Sequence, residues 1–291
     1  LDTDISILCG GTPGRPDGSL DLAYVKRPAE QLARVLAANN KSSEHLVVMR
    51  STVLPGTTEG LIAPLFRDMD GIGICANPEF LREGTALDDF LTPSRIVIGA
   101  NQRGWAEAML QLYADFPSTI ITTDIKTAEM VKYASNTFLA TRISLINEIG
   151  NLCKLFDIDV YDVANGIGYD SRIGHDYLRA GVGFGGFCLP KDLAALKSQA
   201  QSLGYEARIL EEVERLNKEQ PLRMVKLLKQ HLPEVRGRTI GILGLAFKAG
   251  TDDVRGSVAN SIIDALAAED AKIRVHDPVA MRNFEAQSPR G

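Results

Sequence analysis

The segment "HLVVMRSTVLPGT" (His45–Thr57) reads as a buried strand, Leu46 to Arg50, that ends in Ser-Thr and a Pro-Gly turn. Its neighbours repeat the pattern. "DISILCGGTP" is a shorter strand, Ile5 to Cys9, breaking at Gly10-Gly11 and Pro13, and a helix is expected over 23–38 between the two. "GIGICANPEFL" gives a third strand that stops at Asn77-Pro78, and "SRIVIGA" a fourth. Strand, polar turn, helix, strand is βαβ order, which implies an α/β fold with a mostly parallel sheet. Ligands of such sheets lie beyond the C-terminal strand ends, and those ends carry Thr12, Thr52 and Glu79. No G-x-G-x-x-G turn precedes the first strand, so the first unit of a dinucleotide domain is expected to lie outside these residues.

From Asp124 to Phe156 the period changes. Val131, Leu139, Ile143, Leu145, Ile146, Ile149 and Cys153 recur at helical spacing, as in a helix at a domain centre or a dimer interface. A short helix over 159–166 is expected to be capped by Asn165-Gly166, another runs from Pro190 to Leu203, and a long one covers 206–231 with a joint at Pro221. Strand 239–245, helix 257–268 and strand 272–276 then restart the βαβ logic. The expected division is 1–123 for the remainder of a Rossmann-like nucleotide domain, 124–215 for a central helical region, and 216–291 for a connecting helix and the start of a second Rossmann-like domain. Both ends read as clipped.

Bulk properties narrow the chemistry. The 291 residues are 45% hydrophobic and 24% charged with a net charge of −5, and no basic stripe suggests nucleic acid. The longest apolar runs are too short to span a membrane, and the first residues lack a signal-peptide layout, which fits a cytoplasmic enzyme. Four cysteines and four histidines are scattered without metal-ligand or disulfide spacing, so no metal site is expected. Catalysis must then run on Cys, Lys, Asp, Glu or an organic cofactor.

"GVGFGGFCLPKDL" (Gly181–Leu193) brings these groups together. Pro190 suits the first turn of a helix, which puts Cys188 just before that helix with Lys191 beside it, two features that favour a thiolate. Most free cysteines are buried and inert. Gly181, Gly183, Gly185 and Gly186 argue otherwise, because glycines without packing bulk imply unusual dihedrals or close approach to a ligand. Asp192 is either a dipole-complementing acid of the first turn or an acid/base group one turn from the thiol. "EMVKYASNTFL" sets Lys132 and Asn136 on one helix face, a solvated pair or a holder for an alkoxide oxygen. "NPEFLREGTALDDF" carries Glu79 and Glu83, weak alone, and Thr52 reads equally as a turn residue. "GILGLAFKAGTDDVRGS" lacks dinucleotide-loop spacing. Its Phe247, Lys248 and Arg255 suit another anionic ligand or are ordinary loop residues.

Six motifs in order, "GTPGRPDGSLDL", "RSTVLPGT", "NPEFLREGTALDDF", "EMVKYASNTFL", "GFGGFCLPKD" and "GLAFKAGTDDVRGS", resemble the UDP-glucose/GDP-mannose dehydrogenase family over essentially the whole chain. The resemblance implies oxidation of a nucleotide sugar's primary alcohol to a carboxylate with two NAD⁺, through a Cys188 thiohemiacetal and thioester. It assigns Lys132 and Asn136 to the developing alkoxide, and Asp192, Glu79 and Thr52 to protons and the hydrolytic water. Thr12, Thr52, Glu83 and Arg255 are its NAD residues. Phe80, Leu81, Lys132, Asn136, Arg172, Tyr177, Arg179, Phe184, Gly185, Phe247 and Lys248 are its sugar-nucleotide residues. It further implies a homodimer through the central helices, with Arg172 and Arg255 acting across it. "YDSRIGHDYLRAGVGFGG" resembles the UDP-glucose branch, with GDP-mannose second; Phe187, where small or polar residues are usual, departs from the pattern. The resemblance also implies that these residues alone turn over little NAD⁺. Two other readings are a two-electron β-hydroxyacid dehydrogenase, which shares the Lys-x-x-x-Asn helix but needs no cysteine, and a non-catalytic sugar-nucleotide-binding relative.

Overall fold

The computed structural model describes residues 3–38 and 44–287. It divides into two compact units, residues 1–135 and 136–291.

The first unit is a five-stranded sheet in the order β1 (Ile5–Leu8), β2 (His45–Met49), β3 (Ile72–Ala76), β4 (Arg95–Ala100), β5 (Thr119–Thr123). All five residues of β2 are buried because both sheet faces are covered. Val47 and Met49 meet Val25, Ala29, Ala33 and Leu36 of helix α1 (Ala23–Ala38), whose apolar positions recur at helical spacing. Leu46 and Val48 pack with Met109 of α3 (Arg103–Leu112) on the opposite face. Each such aliphatic side chain contributes about 1.5–3 kcal/mol when fully buried. Helix α2 (Ala86–Leu91) lies between β3 and β4.

The sheet is less parallel than βαβ order implies. β1, β2 and β3 are parallel, but β4 pairs antiparallel with β3, and β5 runs parallel to β4. The β3–β4 connection carries only the six-residue α2, and the chain returns beside β3 reversed. β5 went unread because its burial alternates weakly, with Thr119, Ile121 and Thr122 exposed at the sheet edge.

Helix α4 (Ile125–Leu155) is continuous and runs from the first unit into the second. In the second unit follow α5 (Val160–Gly168), α6 (Cys188–Ser202), α7 (Arg208–His231), β6 (Thr239–Leu243), α8 (Val258–Ala267), β7 (Lys272–His276) and α9 (Met281–Gln287). β6 and β7 form a parallel pair. Three expectations need correction. Asn165 and Gly166 lie inside α5, whose start is instead capped by Asp159 accepting from the Tyr161 N–H. Pro221 makes no joint, and α7 runs through it. Leu145 does not face the core; it is exposed. Among the described residues no helix is long and apolar enough to cross a membrane.

Candidate active site

In the first unit the site residues gather where the parallel strands β1, β2 and β3 end. The buried Thr12 donates its hydroxyl to the Thr52 carbonyl at 2.8 Å, tying the loop after β1 to the loop after β2. A small recess there is lined by Ser51, Thr52, Val53, Pro78, Glu129 and Lys132. Lys132, 5% exposed, sits 3.2 Å from a Glu79 carboxylate oxygen. The other Glu79 oxygen accepts the Leu81 N–H at 2.5 Å, which fixes the carboxylate over its own turn. Phe80 stacks under the Arg95 guanidinium at 3.9 Å, with the Lys132 ammonium 5.4 Å from the same ring. Glu83 lies on the exposed turn beyond them.

Two residues here escaped sequence reading. Glu129, 3% exposed, accepts the N–H groups of Gly56 and Thr58 on its two oxygens. Burial pushes its carboxyl above the usual carboxylate range. It holds the Thr52 loop to α4 one turn before Lys132. Arg95, whose guanidinium also donates to Ser135 at 2.8 Å, is lowered from its ordinary value by burial. Glu129 had a sequence signal, an acid three residues before Lys132 on a helix read as central; Arg95 had none.

In the second unit Cys188 is the first residue of α6, two residues earlier than expected, and is exposed. Asp192 lies one turn on, 1% exposed. One of its oxygens accepts the Asn136 amide N–H at 2.6 Å, the other the Lys191 ammonium at 2.5 Å. Lys191, three residues on from Cys188, forms a buried ion pair with Asp192. Asn136 and Lys132 lie one turn apart on α4, as the spacing predicts.

Three of the four glycines before Cys188, Gly183, Gly185 and Gly186, meet close neighbours within the protein, whereas a Cβ on Gly181 would meet nothing within 4 Å. A Cβ on Gly185 would stand 2.2 Å from the Gly256 carbonyl oxygen, and one on Gly186, at φ +80, would stand 2.7 Å from the Phe247 ring. The positive φ of Gly183 and Gly186 answers to the unusual dihedrals expected of this stretch, and Gly185 and Gly186 permit a close approach to the loop after β6. That loop is itself anchored: Asp277, at the end of β7, accepts the N–H groups of Leu245, Ala246, Val279 and Ala280. These bonds hold its carboxyl well below the usual range.

The remaining expected residues spread around this core. Arg255 pairs with Asp253 at 2.7 Å and lies 5.1 Å over the Phe187 ring, which Lys191 approaches at 5.7 Å from its ammonium. Lys248 is exposed, 5.7 Å from the Phe247 ring. Phe184 is buried with Ala140, Leu193 and Val213 and supports the loop from beneath. Arg172 is exposed and held by Asp170 at 2.6 Å. Tyr177 takes a positive φ of 61, unusual for an aromatic residue. Arg179 is exposed beside the buried Leu178.

Models of the UDP-glucose/GDP-mannose dehydrogenase family match in sequence: the NAD binding domain over residues 1–117, the central domain over 126–219, and the UDP binding domain over 241–291. The chain is 44% identical over 300 residues to UDP-glucose 6-dehydrogenase AglM of Haloferax volcanii, covering 99% of this chain and 69% of that protein. It is 40% identical to UDP-glucose 6-dehydrogenase of Rickettsia conorii, covering 97% of this chain and 65% of that one. The solved UDP-glucose dehydrogenase of Pyrobaculum islandicum superposes with a TM-score of 0.93 at 46% identity, covering 98% of this chain and 66% of that one. The chain thus spans about two thirds of the length of the relatives it matches.

Proposed function

We propose, since the chain belongs to the UDP-glucose/GDP-mannose dehydrogenase family, that its protein oxidises the primary alcohol of UDP-glucose to the carboxylate of UDP-glucuronate. The observation that carries the reading is Cys188, exposed at the start of α6 one turn from an Asp192 held by Asn136 and Lys191. A two-electron dehydrogenase has no use for that thiol.

The first unit's residues fit NAD⁺. The ends of β1–β3 bring together the buried Thr12 with Thr52 and Gly11, where a Cβ would meet nothing within 4 Å, and the Ser51 hydroxyl holds the turn through the Gly10 carbonyl. Thr12, Thr52 and Glu83 would hold it, with Arg255. When bound, NAD⁺ accepts the hydride lost in each oxidation. Every other task falls to the chain. Lys132 opposes negative charge developing on the alcohol oxygen as its proton leaves, and Asn136 holds that oxygen with its remaining amide N–H. Cys188 sulfur then bonds to the aldehyde carbon, giving a thiohemiacetal, because an aldehyde gives up a second hydride only after addition to its carbonyl. After the second oxidation the carbon is a thioester. Water adds, the C–S bond breaks, and the acid and the thiolate separate. Glu79, whose side chain is 26% exposed, takes the protons. Asp192 fixes Asn136 and balances Lys191 beside the sulfur.

Phe247, Lys248, Arg172, Arg179 and Tyr177 form the nucleotide-sugar side of this reading. A homodimer through α4 belongs to it as well. Phe138, Leu145 and Leu152 are 65%, 58% and 47% exposed and recur at heptad spacing, an apolar stripe that a second copy would cover. A cytoplasmic location is part of the same proposal.

The test is turnover by the full natural gene product, counting NADH per sugar with UDP-glucose and with GDP-mannose. Two NADH per UDP-glucuronate are expected, and C188S is expected to stop at the first oxidation or release aldehyde. One NADH per sugar, or C188S at wild-type stoichiometry, refutes the thioester route. Preference for GDP-mannose refutes the substrate.

A further inference from the structure

The loop leading to Cys188 is held by three side-chain amides that the reaction itself does not use. Asn217 on α7 grips Phe184 at both backbone groups, accepting its N–H at 2.8 Å and donating to its carbonyl at 2.8 Å. Gln220, one turn on, donates to the Gly181 carbonyl at 2.7 Å, and Asn147 on α4 accepts the Gly181 N–H at 2.7 Å. Asn151 donates to Gln220 at 2.9 Å and closes the set. Asn147 and Gln220 are 4% and 7% exposed. Between the gripped residues, Gly183 sits at φ +108 with the Asn217 side-chain oxygen 2.9 Å from where a Cβ would be. The Phe184 ring packs with Leu189 and Leu193 of α6. The backbone of Phe184 is therefore fixed from α7 while its ring seats the first turns of the helix that begins at Cys188.

We propose that Asn217, seconded by Gln220, is a positioning residue for Cys188: it reads the 181–184 backbone as a strand partner would and so fixes where α6 starts and where its first residue projects. Both polar groups of both Gly181 and Phe184 are met by side chains from α4 and α7 rather than by neighbouring backbone, so the loop's placement depends on those side chains. A thiol at a helix start depends on that geometry, since the first-turn N–H groups favour its reactive form. The inference rests on Cys188 as the nucleophile, but its test needs neither nucleotide.

Iodoacetamide alkylation rates at Cys188 and Cys9 are measured in the folded chain by peptide mass spectrometry. Cys9, also exposed but in the other unit, is the internal reference. In Asn217→Ala the Cys188:Cys9 rate ratio is expected to fall at least threefold, and Gln220→Ala, milder in fold, to lower it in the same direction. Asn217→Gln, which keeps both polar groups, is expected to recover part of the ratio. Val225→Ala, a cavity in the same helix at a residue 7% exposed, is expected to leave the ratio unchanged. If Asn217→Ala does not fold, Gln220→Ala against Val225→Ala decides. An unchanged or raised ratio in the amide variants, or an equal fall in Val225→Ala, overturns the proposal. Such a result leaves the NADH count of the proposed function untouched.

Discussion

Replacing Asp192 by Asn keeps the shape of the side chain and removes only its charge. The structure sets the size of the effect. The Lys191 ammonium lies 2.5 Å from one Asp192 oxygen, with side chains 8% and 1% exposed. At an effective dielectric of about 20 the Coulomb attraction at that separation is about 6–7 kcal/mol. Desolvation of both groups offsets much of it, but the two parts do not vanish together: in D192N the lysine stays buried without its counter-charge, and such single removals cost about 3–5 kcal/mol. The amide oxygen can still accept from Asn136, which turns the new NH₂ towards Lys191, donor against donor. K191M is expected to cost a similar amount by stranding the carboxylate. The double variant D192N/K191M, which strands neither charge, is expected to cost no more than either single. Urea unfolding followed by far-UV CD gives the three values and the coupling. The reasoning fails if D192N lies within about 1 kcal/mol of wild type, or if the double variant costs the sum of the singles.

Other perturbations test other parts of the frame. Asp277 is held ionised by four backbone N–H groups, so its folded value is depressed and its contribution is present above the unfolded pKa of about 3.9 and lost as pH falls towards the folded one. D277N is expected to cost about 3 kcal/mol near neutral pH by urea unfolding, with the gap to wild type closing below about pH 4. Glu129 has the opposite sign: its raised carboxyl favours the fold below its unfolded pKa of about 4.3, and that contribution is lost as pH rises through the folded value. The stability of E129Q relative to wild type is therefore expected to rise across that window in the same urea assay. Burial pushes the Cys75 thiol up to about 12, and Cys153 is buried too, so a thiol reagent such as DTNB is expected to titrate Cys9 and Cys188 quickly and the other two only after unfolding. Gly10→Ala would put a Cβ 2.5 Å from the Tyr24 carbonyl oxygen, and a destabilisation of about 1–3 kcal/mol by thermal unfolding is expected from that overlap.

What the sequence disclosed depended on how local the signal was. α1 matches its expected bounds because apolar periodicity and flanking turns are written within the segment itself. The reversal at β4 is invisible locally, since Ile96–Ile98 make the same buried run in either direction. α4 is the instructive case. Periodicity found its length and much of its packed face, Val131, Ile143, Ile146, Ile149 and Cys153 included, but misplaced Leu145. Its buried side carries Glu129, Lys132, Asn136, Ser144 and Asn147, while Phe138, Leu145 and Leu152 face outward. α4 buries polar groups beside the apolar Ile125, Tyr133, Ala140, Ile146 and Cys153, so apolar periodicity alone does not give its whole buried face. Cys188, Lys132 and Asp192 were legible because their residue types are chemically unusual in that spacing. Asn217, Gln220 and Arg95 were not, because a single amide or arginine means nothing until tertiary contacts give it a partner.

The two prolines inside helices extend this point to the backbone. Pro28 lies within α1 and Pro221 within α7, and both helices continue through them. A proline in a helix interior removes the N–H that the carbonyl four residues earlier would accept, at about 3 kcal/mol. Those carbonyls are Tyr24 and Asn217, and each faces a glycine: the Tyr24 oxygen is 2.5 Å, and the Asn217 oxygen 3.5 Å, from where a Cβ would stand on Gly10 and on Gly183. Gly10 opens the loop to Thr12, and Gly183 lies in the loop to Cys188. At Gly10 the carbonyl is too close for any Cβ, whereas at Gly183 the backbone carbonyl is at ordinary contact distance and it is the Asn217 side-chain oxygen at 2.9 Å, together with φ +108, that calls for glycine.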